Sequence, residues 1–83
     1  MKDQIATKGI VTTNGCPELK NYLPKKDATV VKRLKDAGGI LLGKTNAPPL
    51  CYQSITDNLV YGRTNNPYDL ERTPGGSSGG EAA

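Results

Sequence analysis

The chain has 83 residues, a net charge of +3 from 11 basic and 8 acidic side chains, an apolar share of 35%, and no His, Phe or Trp. So short a chain holds one domain at most and buries roughly 60% of its unfolded surface, and with few large apolar residues its burial barely offsets ordering entropy, so a piece of a larger fold is expected. Without His, no Ser-His-Asp or Cys-His site can be completed inside it, and Cys16 and Cys51, far apart and in no CxxC pair, make no zinc site.

Residues 1–15 read as a strand-like and loop-like entry, in which Gly9-Ile10-Val11-Thr12-Thr13 is β-branched and closed by the turn dipeptide Asn14-Gly15. Cys16-Pro17 to Leu23-Pro24 predicts loop with a short turn. A helix is predicted from Asp27 to about Ala37, with Asp27 as N-cap. Its apolar stripe is Ala28, Val30, Val31, Leu34 and Ala37, and Gly38 takes the left-handed position after its last turn. Lys25, Lys26, Lys32, Arg33 and Lys35 read as a solvated face rather than a nucleic-acid patch, since no aromatic residue interleaves with them. Ile40-Leu41-Leu42, between Gly39 and Gly43, predicts a short strand buried on both faces. Helix, glycines and strand together are half of an α/β crossover unit.

Lys44-Thr45-Asn46 then ends the strand, where open α/β sheets place their sites, although hydrogen bonding to loop backbone is the expected role of Thr45 and Asn46. Ala47-Pro48-Pro49-Leu50 can open a short helix. Thr56 to Pro74 has no period and is expected to be irregular and mobile, with Asp57 and Asn58 as candidate substrate contacts. Gly79-Gly80-Glu81-Ala82-Ala83 reads as a first helical turn. No apolar run approaches the ~20 residues of a membrane span and no signal peptide is visible, so a cytoplasmic protein without membrane or direct nucleic-acid partners is expected.

The run Thr73-Pro74-Gly75-Gly76-Ser77-Ser78-Gly79-Gly80-Glu81 is the most informative segment. Glycine lets a second backbone or a ligand come close. A serine pair held between glycines can present hydroxyls and N–H groups to one point, which suits acyl transfer. By composition alone the run also fits a flexible linker, or a non-catalytic anion-binding module built on a nest of N–H groups.

Lys2-Asp3-Gln4-Ile5, the unit from Asp27 to Asn46 ending in GKTN, Tyr61-Gly62-Arg63-Thr64-Asn65-Asn66-Pro67 and the GGSSGG run follow one another in an order that resembles the amidase signature family of serine hydrolases. The resemblance covers essentially the whole chain. It implies an α/β fold with a mixed β-sheet flanked by helices, of which residues 1–83 are a partial domain truncated at both ends. It also implies cleavage of a carboxamide to an acid and ammonia or an amine, at a Ser-Ser-Lys site without metal or cofactor. Lys2 takes the place of the family's catalytic lysine. Ser77 takes that of the bridging serine, joined to Gly76 by a cis peptide bond, with Ser78, Gly75 and Gly76 in support. The family's nucleophile lies in a further Gly-Gly-Ser motif that these residues do not contain, and Ser54 lacks the glycines, so the chain alone is expected to be inactive. A small-molecule amide is the implied substrate, and a homodimer of the full-length enzyme is one arrangement open to it. A stand-alone amidase is the reading favoured here; the alternative within the family is the catalytic subunit of a tRNA-dependent amidotransferase.

Overall fold

The computed structural model describes residues 1–83. Two α-helices form, α1 at Thr29–Asp36 and α2 at Gly79–Ala82, with single 3-10 turns at Pro17–Leu19 and Pro49–Cys51. Of 31 backbone hydrogen bonds, 27 lie in turns, loops and caps rather than within helices or strands. The chain is thus a set of turns pinned to one another.

Helix α1 stops where its glycines dictate. Gly38, at φ +90°, donates to Lys35 O at 2.9 Å, and Gly39 N–H reaches Leu34 O at 2.8 Å. This is the Schellman pair that satisfies orphan carbonyls. Arg33 and Lys35 lie in the last turn, where the dipole favours cations. The start departs from expectation. Ala28, not Asp27, is the N-cap, because the Asp27 carboxylate is already committed: it accepts from Lys8 N–H at 2.7 Å and from Lys35 Nζ at 2.9 Å. These bonds, Lys35 first, lower its pKa below the ordinary 3.8. Of the predicted stripe only Val31 is fully buried, while Val30 and Leu34 are half exposed.

The strand-like stretch at Gly9–Thr13, the predicted strand at Ile40–Leu42 and the mixed sheet do not form within this chain. Ile40 and Leu42 are 87% and 97% exposed. The only pairing next to them is an isolated parallel bridge between Lys2 and Thr45, made by Thr45 N–H to Met1 O at 2.9 Å and Asp3 N–H to Thr45 O at 3.0 Å. A strand buried on both faces needs neighbours on both edges and layers above and below, which these residues do not supply. Gly9–Thr13 instead wraps along the Tyr22–Pro24 backbone, with Thr12 N–H to Tyr22 O at 3.0 Å and Gly9 N–H to Pro24 O at 3.1 Å. The Asn14-Gly15 turn is as expected: both residues have positive φ, 54° and 69°, and Cys16 N–H closes onto Thr13 O at 2.9 Å.

The centre is polar. Val31 and Ala47 are the buried hydrophobic residues, against buried Asp3, Thr7, Thr12, Thr13, Thr56 and Asn58. The Asp3 carboxylate accepts from Thr13 Oγ1 at 2.7 Å, Thr13 N–H at 3.1 Å and Gly15 N–H at 3.3 Å. Lys44 Nζ donates to Ile5 O at 2.6 Å, Thr12 Oγ1 at 3.2 Å and Thr7 Oγ1 at 3.4 Å. The molecule measures 39 × 29 × 18 Å and exposes 5675 Å², where a compact monomer of its mass exposes about 4,800 Å². Ile40, Leu42 and Leu59 are among the apolar residues left bare. No helix is long and apolar enough to cross a membrane.

Candidate active site

The bridge to Thr45 and the buried anchor at Asp3 fix the backbone on either side of Lys2. Asp3 is turned into the polar centre, and the Lys2 side chain reaches instead toward the serine loop. There its Nζ lies 2.7 Å from Ser77 Oγ and 3.1 Å from Ser78 Oγ, across 75 and 76 residues of sequence. Ser77 is half-buried and Ser78 exposed. The Gly76–Ser77 peptide is cis.

The glycines around the serines have separate reasons. Gly75 has φ +91°, a conformation open to glycine at little cost. Gly80 is required by contact: a Cβ there would stand 2.4 Å from Asn46 N and 2.6 Å from Asn46 O. Ser78 occupies the N-cap of α2 yet makes no side-chain cap, since its hydroxyl is turned to Lys2. Two N–H groups that an anion nest would need are spent within the protein, Gly75 on Thr73 Oγ1 and Gly79 on Thr56 Oγ1, both at 3.0 Å.

The Thr56–Pro74 segment is irregular, as expected, but tied down. Asn46 Nδ2 donates to Gly62 O and Thr64 Oγ1, both at 3.0 Å. Asn58 Nδ2 donates to Asn46 Oδ1 at 2.6 Å and Ala47 O at 2.8 Å, and its Oδ1 accepts from the Val60 and Tyr61 amides. Asn58 is therefore a buried brace whose polar atoms are all used, not a substrate contact; Asp57 beside it is exposed. Thr45 bonds through its backbone, while its buried hydroxyl has no partner.

Thr56 supports the serine loop through Gly75 and Gly79 without any local sign of it in the sequence, since it opens a segment without periodicity. Lys44, at the end of the expected strand where a site was expected, bonds instead to Ile5, Thr7 and Thr12 in the polar centre. Desolvation lowers the Lys44 pKa from the ordinary 10.5, opposed by the nearby Asp3 charge.

Lys2 and Ser77 form a lysine–hydroxyl pair without His, an arrangement that can pass a proton between an amine and an attacking or leaving group. Comparison with known proteins identifies the family. The amidase family profile matches residues 1–83. The chain is 52% identical over its whole length to the A-subunit of glutamyl-tRNA(Gln) amidotransferase from Sulfurisphaera tokodaii, of which it spans 18%. Its structure is similar to that of the Thermotoga maritima glutamyl-tRNA(Gln) amidotransferase A-subunit, with TM-score 0.89 and 48% identity, over 95% of this chain and 18% of the other. It is similar also to 6-aminohexanoate cyclic dimer hydrolase, with TM-score 0.90 and 38% identity, over 99% of this chain and 18% of the other. A match of the family profile from the first residue to the last, with fold and sequence in agreement, means that the chain belongs to the amidase signature family, whose members are C–N hydrolases.

Proposed function

We infer that residues 1–83 form part of an amidase domain and carry the proton-relay half of a carboxamide-hydrolysing site. Lys2 is the base, Ser77 the relay, and Ser78, Gly75 and Gly76 are their supports. The 2.7 Å separation of Lys2 Nζ and Ser77 Oγ is the observation that carries the reading. Neutral Lys2 Nζ accepts the Ser77 hydroxyl proton while Ser77 Oγ accepts the proton of an attacking serine from outside these residues. That serine's oxygen bonds to the amide carbon. The protons return by the same route to the leaving nitrogen as the C–N bond breaks. Water then releases the acid by the same relay. A lysine serves as base only when neutral, and burial is what favours the neutral form.

The test is a hybrid in which this chain replaces the matching segment of the Thermotoga maritima protein. Hydrolysis of amides by the hybrid, abolished by Lys2→Met and by Ser77→Ala, is the expected result. A folded hybrid that keeps its rate with Lys2→Met overturns the assignment. The 83-residue chain alone is expected to show no turnover of aryl or aliphatic amides.

A stand-alone amidase and an amidotransferase subunit share this half-site. The 52% identity to an amidotransferase A-subunit favours the second; the likeness to 6-aminohexanoate cyclic dimer hydrolase supports the first. In the complete polypeptide carrying this chain, glutamine hydrolysis that rises on adding amidotransferase partner subunits supports the second. Hydrolysis of simple amides indifferent to such partners supports the first.

A further inference from the structure

The serine pair is held in place from behind by one hydroxyl. Thr56 Oγ1 donates to Gly75 O at 2.9 Å and accepts from Gly79 N–H at 3.0 Å. A hydroxyl has one hydrogen to donate and lone pairs to accept, and here it spends them on the two residues that bracket Gly76-Ser77-Ser78. The residue is 1% exposed, so water does not compete for these bonds. The fit is close: a Cβ on Gly79 would stand 2.2 Å from Thr56 Oγ1. Thr56 is itself anchored, its carbonyl accepting from Thr64 N–H at 2.9 Å, and Thr64 Oγ1 accepts from Asn46. Asn46 backbone in turn lies against Gly80. The loop that presents Ser77 to Lys2 is thereby fastened at Gly75 and Gly79 by Thr56 and backed at Gly80 by Asn46.

We propose that Thr56 is a positioning residue, whose hydroxyl staples Gly75 to Gly79 and so sets the reach of Ser77 Oγ to Lys2 Nζ. The proposal rests on the relay reading of Lys2 and Ser77. Thr56 touches neither of them through a hydrogen bond; it acts through the loop backbone. Thr56→Val keeps the shape and removes both bonds, whereas Thr56→Ser keeps the hydroxyl and removes only the methyl.

The test uses the hybrid enzyme. Thr56→Val is expected to lower kcat on a small amide by about ten- to a hundredfold, the scale of a misplacement near 1 Å. KM should stay within about threefold, since positioning acts on the chemical step rather than on uniform binding. Thr56→Ser should restore most of kcat. In crystal structures the Lys2–Ser77 contact should open in the valine variant and close again in the serine variant. In the unmodified enzyme the Gly79 amide should exchange slowly with solvent deuterium, a measurement that needs no variant to fold. A valine variant with the contact and kcat intact, a serine variant as impaired as valine, or a freely exchanging Gly79 amide overturns the proposal. A contact that opens in valine with kcat unchanged supports the staple while overturning the relay reading beneath it.

Discussion

Lys2 Nζ donates to Ser77 Oγ at 2.7 Å, and to Ser78 Oγ at 3.1 Å. The shorter contact is to the half-buried serine and the longer to the exposed one. The two hydroxyls should therefore differ in worth. Ser77→Ala in the hybrid enzyme is expected to cost about 10²–10⁴-fold in kcat, the range of a lost acid–base group. Ser78→Ala should cost less than about tenfold, read in the same amide-hydrolysis assay.

Asp3 links the site to the polar centre. Its carboxylate takes hydrogen bonds from the Thr13 hydroxyl and amide and from the Gly15 amide. Asp3→Leu leaves these buried donors without an acceptor, which costs about 1–3 kcal/mol for each unsatisfied group. A fall in the urea midpoint of the hybrid, with an unchanged slope, is the expected outcome. A wild-type midpoint would show that the donors find other partners.

Glycine positions separate into contact-limited and free. Gly80→Ala drives a methyl into the Asn46 backbone, and Gly43→Ala meets nothing within 4 Å. The first should lower both melting temperature and activity, because backbone cannot step aside as a flexible side chain does. The second should be close to neutral. Thermal melts of the two variants side by side check this.

The Asp27 carboxylate, with its pKa lowered below 3.8 by Lys35 and the Lys8 amide, has a defined sign. A depressed folded pKa contributes stability that is present above pH 3.8 and is lost as pH falls through the folded value. Asp27→Asn should weaken α1 at neutral pH, and the difference should shrink as pH falls below 3.8 through the folded value. Helical circular dichroism across that range, at low salt, is the measurement.

Lys44 has the opposite consequence. Desolvation depresses its folded pKa below 10.5, so the unfolded chain binds the proton more tightly and stability rises with pH between the folded value and 10.5. The penalty is complete below that window. Lys44→Met removes the rise, seen as a flatter change in melting temperature as pH approaches 10.5 from below. The same substitution removes the donor to Ile5 O, Thr7 Oγ1 and Thr12 Oγ1, so its melting temperature should be lower at every pH.

Local chemistry makes some of this legible from residue order alone. Gly38 and Gly39 end α1 because only a chain free of Cβ crowding closes the Schellman pair easily, and Asn14-Gly15 turns for the same reason. The lysine and the serine pair stand out because their residue types, in that order along the chain, resemble one family. The strand expected at Ile40–Leu42 is absent because an apolar run between glycines states a preference for burial but not who provides it.

Residue order thus determined the turns, the helix with its C-terminal stop, and the identity of the amine and hydroxyls brought to the site. Tertiary structure alone decided that Asp27 ties Lys8 to Lys35 instead of capping, that Asn58 braces rather than binds, and that a threonine in an aperiodic stretch fastens the serine loop. The reason is physical: conformational limits and helix ends act between near neighbours in sequence, whereas which donor reaches which acceptor depends on segments far apart in the chain and is settled only when they pack.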